Sequence, residues 1–302
     1  MQVRIHPSPR GLVARPIAPS ANLDESAVIS VRACHHEAQF NRHLLSVRWV
    51  RGGREHVTLD GRTVVLDDDT YLFVNHGRTY DARFDSATPM QSFAVYFRRG
   101  LADEILASVE ERIEHPAQFA EHLHTHDSLV SPVLRFMERH LDLGITEPSW
   151  YEEQLVFLLE RMFRKEADNA RREAAIGAAR RATRRESMRR VSLATDYIHC
   201  CYERPIMLAD LAAAAALSPH HLLRLFKLVH GSTPREFLQA KRTRVAARLI
   251  AGTELTLEEI AHRVGFEDRS TLGRQLRRLF GMNPRQMRRE QRACTPIQSH
   301  LP

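Results

Sequence analysis

The 302-residue sequence predicts an α+β multidomain protein, with a β-barrel in the front half and an all-α rear half containing two helix-turn-helix units. Three observations support this fold class. Short alternating apolar runs separated by turn residues occupy residues 28–98, and the apolar period becomes helical after Arg99. Near the C-terminus, one capped helix with its flanking turns recurs about fifty positions later. A chain of this length can bury two separate cores.

The predicted barrel consists of short strands. Gly52-Gly53 and Asp60-Gly61 are two-residue hairpin turns, which favour antiparallel pairing of the strands on either side. Many short antiparallel strands with tight turns are typical of a barrel or jelly roll, and such a fold commonly holds a small ligand. The six predicted strands are residues 28–34, 45–51, 54–59, 62–66, 70–74 and 91–97.

The segments around the barrel have distinct compositions. Residues 1–27 are Pro-rich and lack the apolar region of a secretory signal, so we predict a flexible tail. Helices are predicted at residues 100–112, 128–141 and 150–163. The last two have apolar faces, which either cover the barrel or form a dimerisation surface. Residues 164–190 are rich in Ala and Arg and predict a basic, helical linker.

The repeat in the rear half starts at residues 218–234, SPHHLLRLFKLVHGSTP. Ser218 suits an N-cap, Pro219 the first helical position and Gly231 the end of the helix. A stripe of apolar residues leaves one narrow basic edge exposed; the stripe consists of Leu222, Leu225, Phe226 and Val229. In the repeat, Leu222, Arg224, Phe226, Lys227, Gly231 and Pro234 correspond to Leu272, Arg274, Leu276, Arg277, Gly281 and Pro284.

Further start signals complete the two units. A helix over 208–216 opens the first unit, with Met207 where a capping Ser or Thr is expected. Capping boxes at 233–236 and 256–259 begin the connecting helix and the first helix of the second unit. Gly265-Phe266 then forms a turn, and 270–280 is the second recognition helix.

Charge separates the two halves of the chain. The net charge is +7; acidic residues outnumber basic ones in residues 1–163, whereas basic residues outnumber acidic ones in residues 164–302. The rear half therefore suits a polyanion. The four cysteines form no CxxC pair, which favours a reducing compartment. No apolar run is long enough to span a bilayer, so we expect no membrane partner.

The front half contains residues of types that bind metals, but their spacing does not favour a site. His35, His36, Glu37 and His76 lack the H-x-H pair with a later Glu and His that metal-binding barrel enzymes use. The alternating His122, His124 and His126 are predicted to be surface histidines near a helix start, and Asp67–Asp69 a solvated turn. There is no Gly-rich phosphate loop or nucleophile elbow. We predict no catalytic residue, no metal, no cofactor and no enzyme activity.

The segment from about 191 to 290 resembles the DNA-binding domain of the AraC/XylS family of bacterial transcription regulators. GFEDRSTLGRQLRRLFGMNPRQMRR resembles the signature segment of that family, and LADLAAAAALSPHHLLRLFK its first unit. Leu272 and Leu276 replace a frequent Phe, and Arg277 replaces Lys. The resemblance implies a cupin-like barrel with a helical dimerisation region over 28–163, a double helix-turn-helix domain over 191–290 and a tail over 291–302.

The resemblance also implies which residues contact DNA. Arg can bond guanine bidentately, a Leu can contact a thymine methyl group, and other basic residues hold phosphates. Gly273 has no side chain and permits only close approach. The expected base contacts are His220, Leu223, Arg224, Arg269, Ser270, Gly273 and Arg274; the expected phosphate contacts are His221, Lys227, Arg277 and Arg278.

The function that follows is a cytoplasmic, homodimeric regulator of transcription that binds double-stranded promoter DNA and senses a small molecule in its barrel. Activation through RNA polymerase is expected from the resemblance. Two alternatives remain open: a ligand-independent regulator whose front half only dimerises or contacts proteins, and a metal-dependent cupin enzyme fused to a DNA-binding module. The sequence does not predict the effector, its pocket residues or the operator.

Overall fold

The computed structural model describes residues 3–6, 24–109, 117–176 and 181–294. The chain divides into two compact units, which meet in sequence at Ala175 and Ile176. We call them the front unit and the rear unit. Part of the predicted tails and the end of the helix predicted at 100–112 lie outside the described residues.

The front unit is built on one mixed, eight-stranded sheet. Its strands are β1 Val3–His6, β2 Ser26–Phe40, β3 Leu45–Arg51, β4 Glu55–Leu59, β5 Arg62–Leu66, β6 Thr70–Val74, β7 Tyr80–Phe97 and β8 Leu123–Thr125. The order is β1-β2-β7-β3-β6-β8, with β4 pairing β7 and β5. Strand β1 is parallel to β2, and the other pairs are antiparallel.

The predicted cupin-like barrel is wrong in its closure. Within the described residues no pairing joins β1 to β8, so hydrogen bonds leave the sheet open. Strand β7 pairs with different strands along its length: its residues 80–83 pair with β4, and its residues 91–97 pair with β3. The register of the β2–β7 pair shifts between Ala33 and His35.

Two strands extend well beyond their prediction, and a third lies within the predicted tail. Residues 35–40 continue β2 with His36, Ala38 and Phe40 buried and the residues between them exposed. Because a His and an Ala are weak apolar signals, the alternation was not visible in the sequence. Strand β1 pairs with residues 26–29, so the segment predicted as a flexible tail contributes a strand.

Helices cover one face of the sheet. They are α1 Leu101–Val109, α2 Ser131–Asp142 and α3 Pro148–Ala174. Leu134 of α2 and Leu155 of α3 share one buried cluster with Trp49 and Phe93 of the sheet. A second buried cluster fills the opposite side, where Leu72, Tyr80 and Tyr96 meet. The prediction that α2 and α3 cover the sheet is therefore confirmed.

The rear unit contains α4 Arg181–Cys201, α5 Leu208–Ala214, α6 Pro219–His230, α7 Pro234–Gly252, α8 Leu257–Arg263, α9 Arg269–Phe280 and α10 Pro284–Cys294. Of the predicted helical linker, residues 164–174 lie in α3 and residues 181–190 in α4, and residues 177–180 lie outside the described residues. One apolar core joins all of the rear helices, and α7 packs against α6, α8, α9 and α10. No described helix of either unit has the length and apolar character needed to cross a membrane.

Candidate nucleic-acid interface

Helices α6 and α9 are matched in length and in both caps. Each has 12 residues. The Ser218 hydroxyl accepts the backbone N–H of His221 at 3.3 Å, and the Asp268 carboxylate accepts that of Thr271 at 2.7 Å. Gly231 and Gly281 end the two helices with left-handed φ values of 69° and 70°. The predicted repeat is therefore a structural repeat.

The predicted DNA-contacting side chains lie on the solvent side of both helices. Leu222 and Leu272 are buried at equivalent positions, as are Phe226 and Leu276, so the two edges face outward in the same register. His221 and Gly273 are half-buried. The exposed residues are His220, Leu223, Arg224 and Lys227 in the first unit, and Arg269, Ser270, Arg274, Arg277 and Arg278 in the second.

The turn before α6 and the turn before α9 each need a residue with left-handed backbone angles. We call α6 and α9 the reading helices. Ala216 adopts φ 50° in the first unit, and Gly265 adopts φ 88° in the second. A Cβ atom on Gly265 would lie 2.8 Å from the Glu203 carbonyl oxygen and 2.9 Å from the Arg242 guanidinium. Arg242 donates to the carbonyl oxygens of Tyr202 and Arg204, each at 2.7 Å. The second turn therefore requires glycine for both its backbone conformation and its space.

Helix α7 connects the two helix-turn-helix units, which both lie in the rear unit. Thr233 and Glu236 form the predicted capping box at its start. The side-chain oxygen Oε1 of its Gln239 accepts a hydrogen bond from Nε2 of Gln275 in α9 at 2.8 Å. Its Lys241 is fully buried, with Nζ 5.2 Å from the centre of the Tyr202 ring. Because α7 contacts α6 and α9, the spacing of the two reading helices is set by packed side chains.

A basic groove of about 1010 Å³ runs along the second unit. Asp268 is the one acidic residue of its lining, which otherwise contains five arginines from α9 and α10. The sequence prediction missed two of them, Arg285 and Arg288, because they lie beyond the reading helix. Arg288 donates to the Leu255 carbonyl oxygen, whereas Arg285 is exposed. The arginines are Arg269, Arg274, Arg277, Arg285 and Arg288.

A second groove, of about 740 Å³, lies between the two helix-turn-helix units. It is bordered by Leu223 of α6, the first turn of α7 and Arg274 of α9. Arg274 therefore lies on the ridge between both grooves. This groove is thus lined by one predicted base-contacting residue from each helix-turn-helix unit, Leu223 and Arg274.

Acidic caps strengthen the starts of the helices. The backbone N–H of Thr271 lowers the pKa of Asp268, and that of Thr233 lowers the pKa of Glu236. The Thr256 hydroxyl lowers the pKa of Glu259 at the start of α8. In contrast, the start of α5 has only half of a box, since Asp210 accepts from the Met207 N–H and Met207 has no hydroxyl to return a bond.

His122, His124 and His126 of the front unit lie in or beside strand β8. His124 was predicted to be on the surface, which is wrong: it is buried in β8, stacked on Tyr71, and its Nε2 lies 2.9 Å from the Ala120 carbonyl oxygen. Burial lowers the pKa of His122 and of His126 to about 4. Among the described residues, no group of three or more His, Cys, Asp or Glu could hold a metal ion.

Comparisons with known proteins agree with the repeat. A family model described as "Helix-turn-helix domain" matches residues 211–290. An AraC-like transcription regulator of Streptomyces lividans is 37% identical over 94 residues, which cover 31% of this chain and 31% of that protein. Residues 211–290 are therefore similar to the helix-turn-helix domain of AraC-type transcription regulators.

Two further comparisons match about a third of the chain. LumQ of Photobacterium leiognathi, named a probable transcriptional regulator, is 34% identical over 92 residues, or 30% of this chain and 37% of that protein. The DNA-binding domain of AdpA, solved in complex with a target DNA, is 28% identical with a TM-score of 0.33 and covers 36% of this chain and 96% of that one. This chain thus spans less than two-fifths of the length of the curated relatives it matches.

Proposed function

We propose that the chain is a sequence-specific transcription regulator that inserts α6 and α9 into two successive major grooves of promoter DNA. The observation that supports this function is the pair of exposed edges repeated in register on two helices that are capped at equivalent positions. A helix fits the major groove, and two rigidly connected units suit grooves about 34 Å apart on one face of the duplex.

Base recognition is assigned to the centres of the two helices. Arg224 and Arg274 are exposed at equivalent positions, where a guanidinium can form two parallel bonds to guanine. Leu223 offers apolar contact to a thymine methyl group, and Gly273 lets the backbone come close. His220, Arg269 and Ser270 occupy the first turns, near the base edges.

Phosphate binding is assigned to residues farther along the edges. Lys227 and Arg277 lie one turn beyond Arg224 and Arg274, and His221 and Arg278 belong to the same group. Arg285 joins this group, because it is exposed in the same basic groove as Arg277. These contacts position the protein without selecting a sequence.

Selection of binding sites from randomised duplexes by the full-length protein tests this function. We expect two preferred blocks whose centres are about 10 base pairs apart. Inserting about 5 base pairs between the blocks turns one of them to the opposite face, so affinity should fall to that of a single block. Enrichment of one block alone, or of none, would contradict the two-groove arrangement.

A buried polar cluster in the front unit supports effector sensing. Arg48 donates to Glu55 at 3.0 Å and to the hydroxyls of Tyr80 and Tyr96 at 3.3 and 3.1 Å, and it stacks near Phe40. Arg48 is 3% exposed and Glu55 fully buried. Burying an ion pair costs solvation free energy, and such a pair often adds little to the stability of the fold. We therefore assign the Arg48–Glu55 pair a role in ligand binding.

Several polar atoms of this cluster lack protein partners. Among the described residues, none bonds Arg48 Nε, Glu55 Oε2 or His43 Nδ1. Burial, with the nearby Arg48 charge, lowers the pKa of His43 to about 4, so its ring is neutral at pH 7. A small molecule with both donor and acceptor groups would satisfy these atoms. A ligand-independent regulator, by contrast, would have no use for them.

Thermal shift of the full-length protein against fractionated metabolites tests effector sensing. We expect one fraction to raise the melting temperature and to change DNA affinity. The Tyr96→Phe variant removes one hydroxyl from the cluster and should lose the response while retaining the fold. A DNA affinity that no fraction changes would favour the ligand-independent alternative.

The exposed side of α2 and α3 supports homodimerisation. Phe136 is 47% exposed and Phe157 50% exposed, and His140 stacks on Trp150 between them at 4.0 Å. Solvent-facing aromatic groups of this kind mark an interaction surface. A Phe136→Glu, Phe157→Glu double variant should be monomeric in sedimentation, whereas wild type should be a dimer. Activation, contact with RNA polymerase, a cytoplasmic location and the lack of enzyme activity complete the proposal.

A further inference from the structure

The second reading helix contains a chain of hydrogen bonds that ends at Arg274. Asp268 accepts the backbone N–H of Thr271 with Oδ1 at 2.7 Å and the Thr271 hydroxyl with Oδ2 at 3.0 Å. The same hydroxyl oxygen accepts a hydrogen bond from Arg274 Nη2 at 3.0 Å. The three residues are spaced by three along one side of the helix, where side chains are neighbours.

Each bond in this chain supports the next one. The two bonds to Asp268 fix the Thr271 side chain in one rotamer, and the carboxylate polarises the hydroxyl so that its oxygen is a better acceptor. Arg274 uses one of its five N–H groups on this bond and keeps the others for a ligand. A side chain that is already held loses less conformational freedom on binding than a free one.

The first unit has no equivalent chain. Its corresponding residues are Ser218, His221 and Arg224, and Ser218 bonds only the backbone N–H of His221. Throughout the described part of the protein, Arg224 has no recorded hydrogen bond or ion pair. Two arginines at the same position of the repeat therefore differ in how firmly they are held.

The space around Arg274 suits a bound base. A Cβ atom on the adjacent Gly273 would meet nothing within 4 Å, whereas the first unit has Leu223 at that place. Arg274 borders the basic groove and the groove between the units. Its guanidinium is thus held beside open space that a base edge can enter.

We infer that Thr271 is a positioning residue that holds the Arg274 guanidinium for guanine recognition, and that the second unit therefore discriminates between bases more strictly than the first. This inference rests on the DNA-reading function proposed above. Thr271 itself touches no base in this account; it acts through Arg274.

The direct test compares Thr271→Val with Thr271→Ser. The measured quantity is the ratio of dissociation constants for the selected duplex and for one whose Arg274-read guanine is replaced. Valine keeps the shape and the backbone N–H but removes the hydroxyl, so we expect the ratio to fall about threefold to tenfold, the factor that one hydrogen bond contributes. Serine keeps the hydroxyl and should stay within about twofold of wild type. Unchanged discrimination in the valine variant would overturn the inference.

A double-mutant cycle separates positioning from a structural effect. In an Arg274→Ala background, Thr271→Val should cause no further loss of discrimination or affinity, because the residue through which it acts is absent. An equal loss in both backgrounds would show that valine acts through the helix start, and would overturn the inference. Melting temperatures of all variants report the fold independently.

Building the same series of hydrogen bonds into the first helix-turn-helix unit gives a gain-of-function test. Ser218→Asp with His221→Thr places the same cap and hydroxyl before Arg224, and discrimination at the Arg224-read position should rise by about threefold to tenfold. No rise in a folded variant would overturn the claim that this chain makes the second unit stricter. A wild-type protein without any base preference would overturn the reading function itself, whereas a preference that ignores Thr271 overturns the positioning role alone.

Discussion

The two helix-turn-helix units share one scaffold but differ in how their helix starts are fixed. The first has Met207 before α5, Ala216 in its turn and Ser218 before α6. The second has Thr256, Gly265 and Asp268 at the corresponding places. Every difference favours the local geometry of the second unit, which also has the larger share of arginines. The core fixes the fold of both, and the caps and turns decide how rigid each one is.

The turn residues should show the largest difference in stability. Gly265→Ala forces a side chain into a left-handed backbone and against the Glu203 carbonyl oxygen, at a cost of about 1–3 kcal/mol from the backbone alone. Ala216→Gly relieves a left-handed alanine and should change the free energy of unfolding by between zero and about 1 kcal/mol in the stabilising direction. Urea denaturation of the full chain measures both, and equal effects would refute the comparison.

The reading arginines should show the largest difference in binding. Arg224→Ala and Arg274→Ala should each cost about 1–3 kcal/mol at the selected site, with the larger cost at Arg274 because it is already held. Lys227→Ala is the control. Loss of a phosphate contact lowers affinity on all sequences and reduces the slope of log affinity against log salt concentration by about one. Fluorescence anisotropy over a salt series measures these changes. A uniform loss for Arg274→Ala would remove its base-reading role.

The caps of α5 and α8 should give a smaller effect. Thr256→Ala removes a reciprocal capping box and should destabilise the rear unit by about 1 kcal/mol. Met207→Thr completes the half-formed box at α5 and should stabilise it by about 0.5–1 kcal/mol. Thermal denaturation of the two single variants measures both changes. The same sign for both would contradict the account of the caps.

Acid should weaken the second unit first. The folded-state pKa values of Glu259 and Asp268 are lowered by their capping bonds, so their contribution to stability is present above the ordinary carboxyl pKa values and is lost as the pH falls through the lowered folded values. The start of α6 has no such carboxylate, since its capping residue Ser218 is uncharged. Hydrogen exchange at pH 3.5 and 6 should therefore show earlier opening at α8 and α9, and Asp268→Asn should remove part of the difference.

The rear unit was largely predictable because its signals are local. Pro219, Thr233 and Gly231 mark helix ends by their own chemistry, and the structure confirms each one. The front unit depends on distant pairing, which no local pattern shows. The closure of the sheet depends on whether β1 pairs with β8, and the burial of His124 depends on Tyr71 more than fifty residues earlier.

The candidate site was predictable only in outline. Periodicity placed Arg224 and Arg274 on exposed edges, but it could not show that Thr271 bonds one of them and that no equivalent residue holds the other. Arg285 was missed because it belongs to a different helix, and only packing brings it beside Arg277. Side-chain rotamers and contacts between helices are set by tertiary structure and so cannot be read from one helix alone.

Site selection repeated with the two arginine variants tests the central claim most directly. If α6 and α9 each read one groove, Arg224→Ala should lose base preference in one block only, and Arg274→Ala in the other block only, while the spacing of about 10 base pairs stays unchanged. Loss of preference in the same block for both variants, or in neither block, would contradict the assignment of the two helices to two successive grooves.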